Sequence, residues 1–351
     1  MQFYILLAIA ISLVTHILSK FVKSENKRLM KGISGGVILL IISACRSIEV
    51  GADTQTYVNA YQYIDTVSWK SIFSGQVLKS FEIGYLVLCK LFSYVSVSEH
   101  FFLFWTSALS LIPVIYYIEK YSKSPVISYW IYIFTTQYLF EMGVIRQSIS
   151  MGIVLLVFDI IYQKKEKWRL KSFFLIMFAS LIHKSALMAY ILLVVSWIKK
   201  IDLKYYIGVC ATLICVIIFG DNLVKIIIKM FGGYSVYTQL STEGIGRLVI
   251  AALLWVFFLL YKKEIYKLDA NAIWWEQTLV ISFILQVFSY FFIAAARGVL
   301  IYNFSYAVII PNLISCANKR DKYVWTLAIL GAYILLFILS FDTRYSYILW
   351  S

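Results

Sequence analysis

Residues 2–19 read QFYILLAIAISLVTHILS, eighteen positions with no Lys, Arg, Asp or Glu, and residues 20–31 then read KFVKSENKRLMK. At 1.5 Å per residue the first stretch makes a helix of about 27 Å, close to the ~30 Å of a bilayer's hydrocarbon core. The second crowds Lys20, Lys23, Lys27, Arg28 and Lys31 into one short loop. Nothing basic precedes the apolar run and no small-residue cleavage pattern follows it. It is therefore expected as a retained membrane helix and not a signal peptide.

The same unit repeats along the chain. Further apolar runs lie at about 33–48, 83–97, 101–118, 125–140, 147–162, 173–182, 185–198, 205–220, 247–261, 273–294, 298–316 and 324–341. Of all 351 residues, 62% are hydrophobic and 14% charged, against roughly 45–50% and about 25% in soluble domains. Mean hydropathy is +0.82. A soluble globular enzyme is excluded, and the long runs speak against a barrel of ~10-residue alternating strands. The expected fold class is an all-α polytopic membrane protein, with residues 1–351 forming a single integral membrane domain.

A net charge of +14 would point to nucleic acid in a soluble protein. Here the basic residues sit between apolar runs, so they report topology, and no nucleic-acid partner is expected. Beside the first cluster stand Lys120/Lys123, Lys164/Lys165/Lys167/Arg169/Lys171, Lys199/Lys200/Lys204, Lys262/Lys263/Lys267 and Lys319/Arg320/Lys322. Placing these six clusters in the cytoplasm gathers 21 of the 32 Lys and Arg on one side, as the positive-inside rule requires. The loop 49–81 is then outside and 119–124 inside, so residues 82–118 cross an odd number of times. The run 82–97, interrupted by Lys90, is expected to lie on or dip into the outer leaflet. In 171–200 parity asks for two short helices meeting at a His183-Lys184-Ser185 turn. A second outer loop, 221–246, should carry an interfacial helix at Val224–Phe231. The count comes to about twelve crossings with both termini outside. The five cysteines include no CxxC pair, and neither a disulfide framework nor a zinc site is suggested.

This topology sends the isolated polar residues to the outer side: Arg46, Asp53, Tyr57, Glu82, Glu141, Arg146, Gln147, His183, Lys184, Arg247 and Arg297. Ionisable groups at membrane depth are costly and tend to face a cavity or one another, so such a set suggests a shared site. Each also has a plainer reading. An Arg at a helix end reaches headgroups, Asp53 caps a helix through the amide of Gln55 or Thr56, and His183 makes a packing hydrogen bond. Tyr57, Tyr61 and Tyr63 stack on sugar rings or pack the loop. Taken as a set, the residues suit displacement of a diphosphate. Arg offers a rigid fork of donors to phosphate, and a carboxylate or imidazole can take a proton from an attacking hydroxyl. Arg146 and Arg297 are the first candidates for the diphosphate, with Arg46, Lys184 and Arg247 in support and Gln147 able to bond a sugar or phosphate oxygen. Asp53, held ionised by Arg46, is the first candidate for the base and His183 the second. No acidic cluster could hold a divalent ion, so neither metal nor other cofactor is expected.

An Arg closing the second run, then V-G-A-D-T-x-x-Y (Val50 to Tyr57), E-x-G-Y (Glu82, Gly84, Tyr85), I-R-Q-S-I-S (Ile145 to Ser150) and A-S-L-I-H-K-S-A-L (Ala179 to Leu187) resemble the EpsG-type, Wzy-like polysaccharide polymerases. The match runs in order from about residue 40 to 190, with only Arg247 and Arg297 beyond. The resemblance implies a multi-pass protein of the bacterial inner membrane, with its active site facing the periplasm. It also implies a glycosyltransferase of O-antigen, capsule or exopolysaccharide synthesis. Such an enzyme moves a chain from one undecaprenyl-diphosphate carrier to the non-reducing end of the repeat unit on a second, releasing undecaprenyl diphosphate. Implied partners are those lipid-linked oligosaccharides, membrane lipids and a chain-length regulator protein. Two other classes stay open: a flippase for the same lipid-linked units, which should show two related halves, and an acyltransferase using His183.

Overall fold

The computed structural model describes residues 1–231, 245–292 and 294–349. Among them the backbone is helical apart from turns and one isolated antiparallel bridge between Arg46 and Leu349. The helices differ from those of a soluble protein in turning large apolar residues outward around an interior that is itself mostly apolar. Leu6, Leu13 and Ile17 of Gln2–Leu18 and Ile207, Ile214 and Ile218 of Leu203–Phe231 are exposed, whereas Ser107, Ser110, Ser150 and Thr278 are buried. Hydrocarbon solvates the first set, and helix packing favours the small hydroxyl residues of the second.

Five helices among the described residues are long and apolar enough to cross a membrane: Gln2–Phe21, Glu99–Tyr121, Ile145–Gln163, Leu203–Ile226 and Lys319–Leu339. Two bent pairs raise the count to seven, Ile245–Leu260 with Lys262–Leu268 at 69° and Ala295–Asn303 with Tyr306–Cys316 at 46°. The structure thus accounts for five to seven of the expected twelve crossings. Most of the shortfall is one of length, although Lys27–Ala44, at 18 residues, falls short because Lys27, Arg28 and Lys31 charge its start. Ile83–Ser93, Pro125–Phe134, Lys184–Val195 and Ala272–Phe288 have 10–17 residues, fewer than the ~20 a straight span needs. The run expected at 125–140 breaks at Thr135–Thr136. There Thr135 turns its hydroxyl back to the Ile131 carbonyl at 2.7 Å and Thr136 adopts φ +65°, a local bond that competes with helix continuation. The helix expected at Val224–Phe231 is not separate but the end of Leu203–Phe231, with Lys225 and Lys229 exposed. The rest of that outer loop, 232–244, lies outside the described residues.

Contacts group the chain into two compact units, Met1–Leu187 with Leu327–Ser351, and Met188–Thr326. In the first, Lys27–Ala44 packs on Glu99–Tyr121, which packs on Ile145–Gln163, which packs on Trp168–Ile182. Ile145–Gln163 is the central member and is largely buried, whereas Lys319–Leu339 buries only Tyr333 and Phe337. In the second, Ala272–Phe288 is the hub for Leu203–Phe231, Ile245–Leu260 and Ala295–Asn303. The helix Ile83–Ser93 spans about 16 Å at 1.5 Å per residue, half the hydrocarbon core. Its Lys90 is buried and donates to the Asp65 carbonyl at 2.7 Å.

Candidate functional site

One end of the first unit is built from a loop, a short helix and a turn that the sequence keeps far apart. Gly51 begins the construction at φ +105°, where a Cβ would meet the Thr54 hydroxyl at 2.6 Å and the Met142 carbonyl at 2.7 Å. Only glycine suits such a backbone in so tight a space. The Thr54 hydroxyl donates to the Val50 and Met142 carbonyls at 2.7 and 2.9 Å, fixing the start of helix Thr54–Asp65. The C-terminal tail closes over the same loop, its Ile348 and Arg344 carbonyls accepting from the amides of Ser47 and Gly51 at 2.8 and 2.9 Å. Arg344 holds Asp342 in return, Nη2 to Oδ2 at 2.6 Å. These hydrogen bonds keep the Asp342 carboxyl below its usual range.

Beneath the loop lies an apolar cluster that includes Tyr57, Tyr61, Ile64, Tyr85, Trp105, Ile145 and Ile182. It seats the start of Ile145–Gln163 beside the end of Trp168–Ile182, and Arg146 emerges at its rim. Arg146 Nη1 donates to Glu82 Oε2 at 2.5 Å and to the Ser80 carbonyl at 2.9 Å. Its guanidinium lies 4.4 Å from the Phe81 ring centroid and 5.6 Å from that of Tyr57, whose hydroxyl is 3.5 Å from Nε. Nη2 makes no bond among the described residues. Glu82 reaches in the other direction as well, its Oε1 accepting from the Lys184 amide at 3.2 Å. The approach is allowed by Gly84, where a Cβ would stand 2.6 Å from the Leu181 carbonyl oxygen.

Helix Trp168–Ile182 ends at His183, which is extended at φ −155°, ψ +124°. The expected turn at 183–185 is thus formed. His183 Nδ1 accepts the Ser185 amide at 3.2 Å and lies 2.7 Å from the Ser185 hydroxyl. An amide N–H can only donate, so Nδ1 is the acceptor and a neutral ring carries its proton on Nε2. That lone pair is engaged by the turn. Asp53 stands one turn before Tyr57 and is exposed, and its side chain does not cap the helix. Its carboxylate has no hydrogen-bond partner among the described residues. Lys184 is exposed; Tyr57 and Tyr61 are buried, and Tyr63 faces out.

Asp53, Tyr57, Glu82, Arg146, His183 and Lys184 therefore share one end of the first unit. Three other sequence candidates go elsewhere in that unit. Arg46 is buried, donating to the Ser43 carbonyl and hydroxyl, to the Ser107 hydroxyl at 3.2 Å and to the Met142 carbonyl at 3.0 Å. It ties the loop to the bundle and does not pair with Asp53, as the sequence had suggested. Glu141 is buried between the Ser110 hydroxyl at 2.9 Å and the Tyr132 hydroxyl at 2.5 Å. Gln147 is also buried. Arg247 is exposed and Arg297 half-buried, both in the second unit. No group of three or more His, Cys, Asp and Glu is arranged for a metal among the described residues.

Two carboxylate clusters escaped the sequence reading. Asp159 takes Lys120 at 2.6 Å, Gln163 at 2.6 Å and the Tyr121 hydroxyl. In the second unit the fully buried Glu276 takes Lys262 at 3.0 Å, Tyr206 at 2.6 Å and Tyr266 at 3.0 Å. The Asp159–Gln163 pair sits at the i, i+4 helical spacing, which was the one readable signal. The remaining partners come from other helices.

The fold and this end together define a multi-pass helical membrane protein with an arginine, carboxylates, a histidine and tyrosines gathered where helices stop. The family model described as EpsG family matches residues 34–349, nearly the whole chain. The chain belongs to the EpsG family, a Wzy-like polymerase family, and this membership points to a membrane polysaccharide polymerase. No curated protein and no solved structure matches it.

Proposed function

We propose that the protein joins oligosaccharide repeat units carried on undecaprenyl diphosphate, at the outer face of the bacterial inner membrane. The observation that carries the reading is the double engagement of Glu82, with Arg146 on one oxygen and the His183-Lys184 turn on the other. It gathers a cation, a turn and the Asp53–Tyr57 helix start at one end of the first unit. Family membership supports the class of reaction.

In this mechanism the acceptor sugar's hydroxyl attacks the anomeric carbon of the donor chain while the bond from that carbon to the diphosphate oxygen breaks. Arg146, through Nη2, and Lys184 meet the charge that develops on the leaving diphosphate, as preorganised donors do. Asp53 takes the proton, because its carboxylate is exposed and makes no hydrogen bond among the described residues, while the acceptor nitrogen of His183 is held by Ser185. His183 then shapes the turn that carries Lys184. Arg247 and Arg297 remain diphosphate candidates on the sequence argument, each at the outer end of a helix. The test is elongation by purified protein given a single synthetic lipid-linked repeat. Products longer than the substrate support the reading; a substrate recovered at its original length by well-folded protein opposes it.

A further inference from the structure

The second unit carries a crevice of about 680 Å³, within the roughly 300–1,000 Å³ that holds small-ligand sites. It lies among helices Tyr190–Val195, Leu203–Phe231 and Ala272–Phe288. Its walls are mainly apolar, and Val209, Val280, Ile281 and Leu285 among them are buried. The crevice is therefore a recess in the unit and not a patch of its outward apolar face. Gly208 lines it as well, and a Cβ there would meet nothing within 4 Å. One turn further along the helix, Thr212 spends its hydroxyl on the Gly208 carbonyl at 2.8 Å.

One end of the crevice has a different character. Lys200, Asp202 and Lys204 line it, around the start of Leu203–Phe231 and within the basic cluster at 199–204. Asp202 is engaged. Its Oδ1 accepts the Tyr205 amide at 3.1 Å, so its charge serves a helix start, where a carboxylate is favoured. Lys200 and Lys204 are exposed and form no hydrogen bond or ion pair among the described residues. Two lysines against one capping carboxylate leave a single net positive charge at the mouth.

An occupant has to suit both ends. An irregular stretch of peptide would bring backbone donors and acceptors to walls with nothing to offer them, which hydrocarbon depth does not tolerate. A hydrocarbon chain brings none, and apolar cavities take apolar guests. At the mouth the matching group is one negative charge. A phospholipid with a monoanionic headgroup meets both requirements, and a zwitterionic one meets only the first.

We propose that this crevice binds a monoanionic phospholipid, with an acyl chain between Leu203–Phe231 and Ala272–Phe288 and the phosphate at Lys200 and Lys204. The site is independent of the polymerase reading, being built from residues that reading does not use.

Full-length protein in nanodiscs of phosphatidylcholine, phosphatidylethanolamine and a minor share of phosphatidylglycerol, analysed by native mass spectrometry, tests the site. Wild type should retain phosphatidylglycerol in preference to the other two. K200Q/K204Q removes the charges without filling the crevice, and should lower that retention at least about fivefold, the factor a single basic residue contributes near an anionic surface. Gly208→Leu fills the crevice without touching a charge, and should abolish the preference at an unchanged melting temperature. K164Q/K165Q, which takes as many charges from a basic loop of the first unit, should keep it. Wild-type retention in Gly208→Leu, equal loss in K164Q/K165Q, or equal retention of phosphatidylethanolamine overturns the proposal. Millimolar glycerol phosphate, which carries charge without a chain, should leave the lipid bound, and displacement by it overturns the proposal as well. Should Gly208→Leu not be recovered, Thr212→Leu, at an exposed position of the same wall, has to lower retention or the proposal fails.

Discussion

Replacing Arg146 with Lys keeps the positive charge and removes the fork, which makes it the sharpest probe of the candidate site. In the resting structure Arg146 donates to Glu82 and to the Ser80 carbonyl and lies 4.4 Å from the Phe81 ring centroid. Lysine can keep the ion pair with Glu82 but not all three contacts. The loss is one hydrogen bond of about 1 kcal/mol and a ring contact of about 0.5–1 kcal/mol, hence about 1.5–2 kcal/mol in stability. The 3.5 Å contact to the Tyr57 hydroxyl is too long to add much. If Arg146 also holds the leaving diphosphate, the transition state loses a preorganised donor worth roughly 2.7–4 kcal/mol, or a factor of about 10²–10³ in rate. The two cases separate when elongation rate and thermal stability are measured on the same preparation. Arg146→Lys should fold, melt slightly early and elongate at least about a hundredfold slower. A variant that melts early yet elongates at the wild-type rate would return Arg146 to a purely structural place.

Asp53→Asn should fold as wild type and abolish chain growth, whereas His183→Ala should loosen the turn and retain measurable elongation; the reverse pattern in the same assay would exchange their roles. Gly51→Ala should destabilise by roughly 1–3 kcal/mol, the cost of a strained backbone residue, because its added Cβ meets Thr54 and Met142, and urea unfolding by circular dichroism reads it. Arg344 holds the Asp342 carboxyl below its usual range. The tail clamp should therefore be flat with pH from 6 to 8 and weaken only as pH falls through that lowered value, which protease cleavage of the tail can follow. Single cysteines in a cysteine-free background should react with an impermeant reagent from outside at positions 53, 184 and 297 and not at 167 or 263; labelling at 167 without 53 would invert the topology.

The helices were readable wherever a long apolar run stood alone. Gln2–Leu18 and Glu99–Tyr121 fall within a few residues of the runs at 2–19 and 101–118, because composition alone decides a helix in hydrocarbon. The break at Thr135–Thr136 was not readable, since it rests on one hydroxyl choosing a backbone carbonyl. At the site, Arg46 and Arg146 look alike in sequence, each an Arg at a helix end. What separates them is tertiary. Arg46 is buried against carbonyls of its own helix end and of Met142, while Arg146 sits at a rim with one nitrogen unengaged. The tail over residues 46–51 was equally hidden, for its bonds join residues some three hundred positions apart. Glu276 and Asp159 were missed for the same reason, their lysine partners lying on other helices.

The most direct test of the central claim follows two labels at once. Donor repeats carry one isotope on the lipid, acceptor repeats a second on the sugar, and both are given to protein in proteoliposomes. Glycosyl transfer with diphosphate departure predicts products that keep the acceptor's lipid, with one labelled polyprenyl diphosphate freed from the donor for every bond formed. Repeats that cross the bilayer without growing, or chains that lengthen while the donor lipid stays attached, would contradict it.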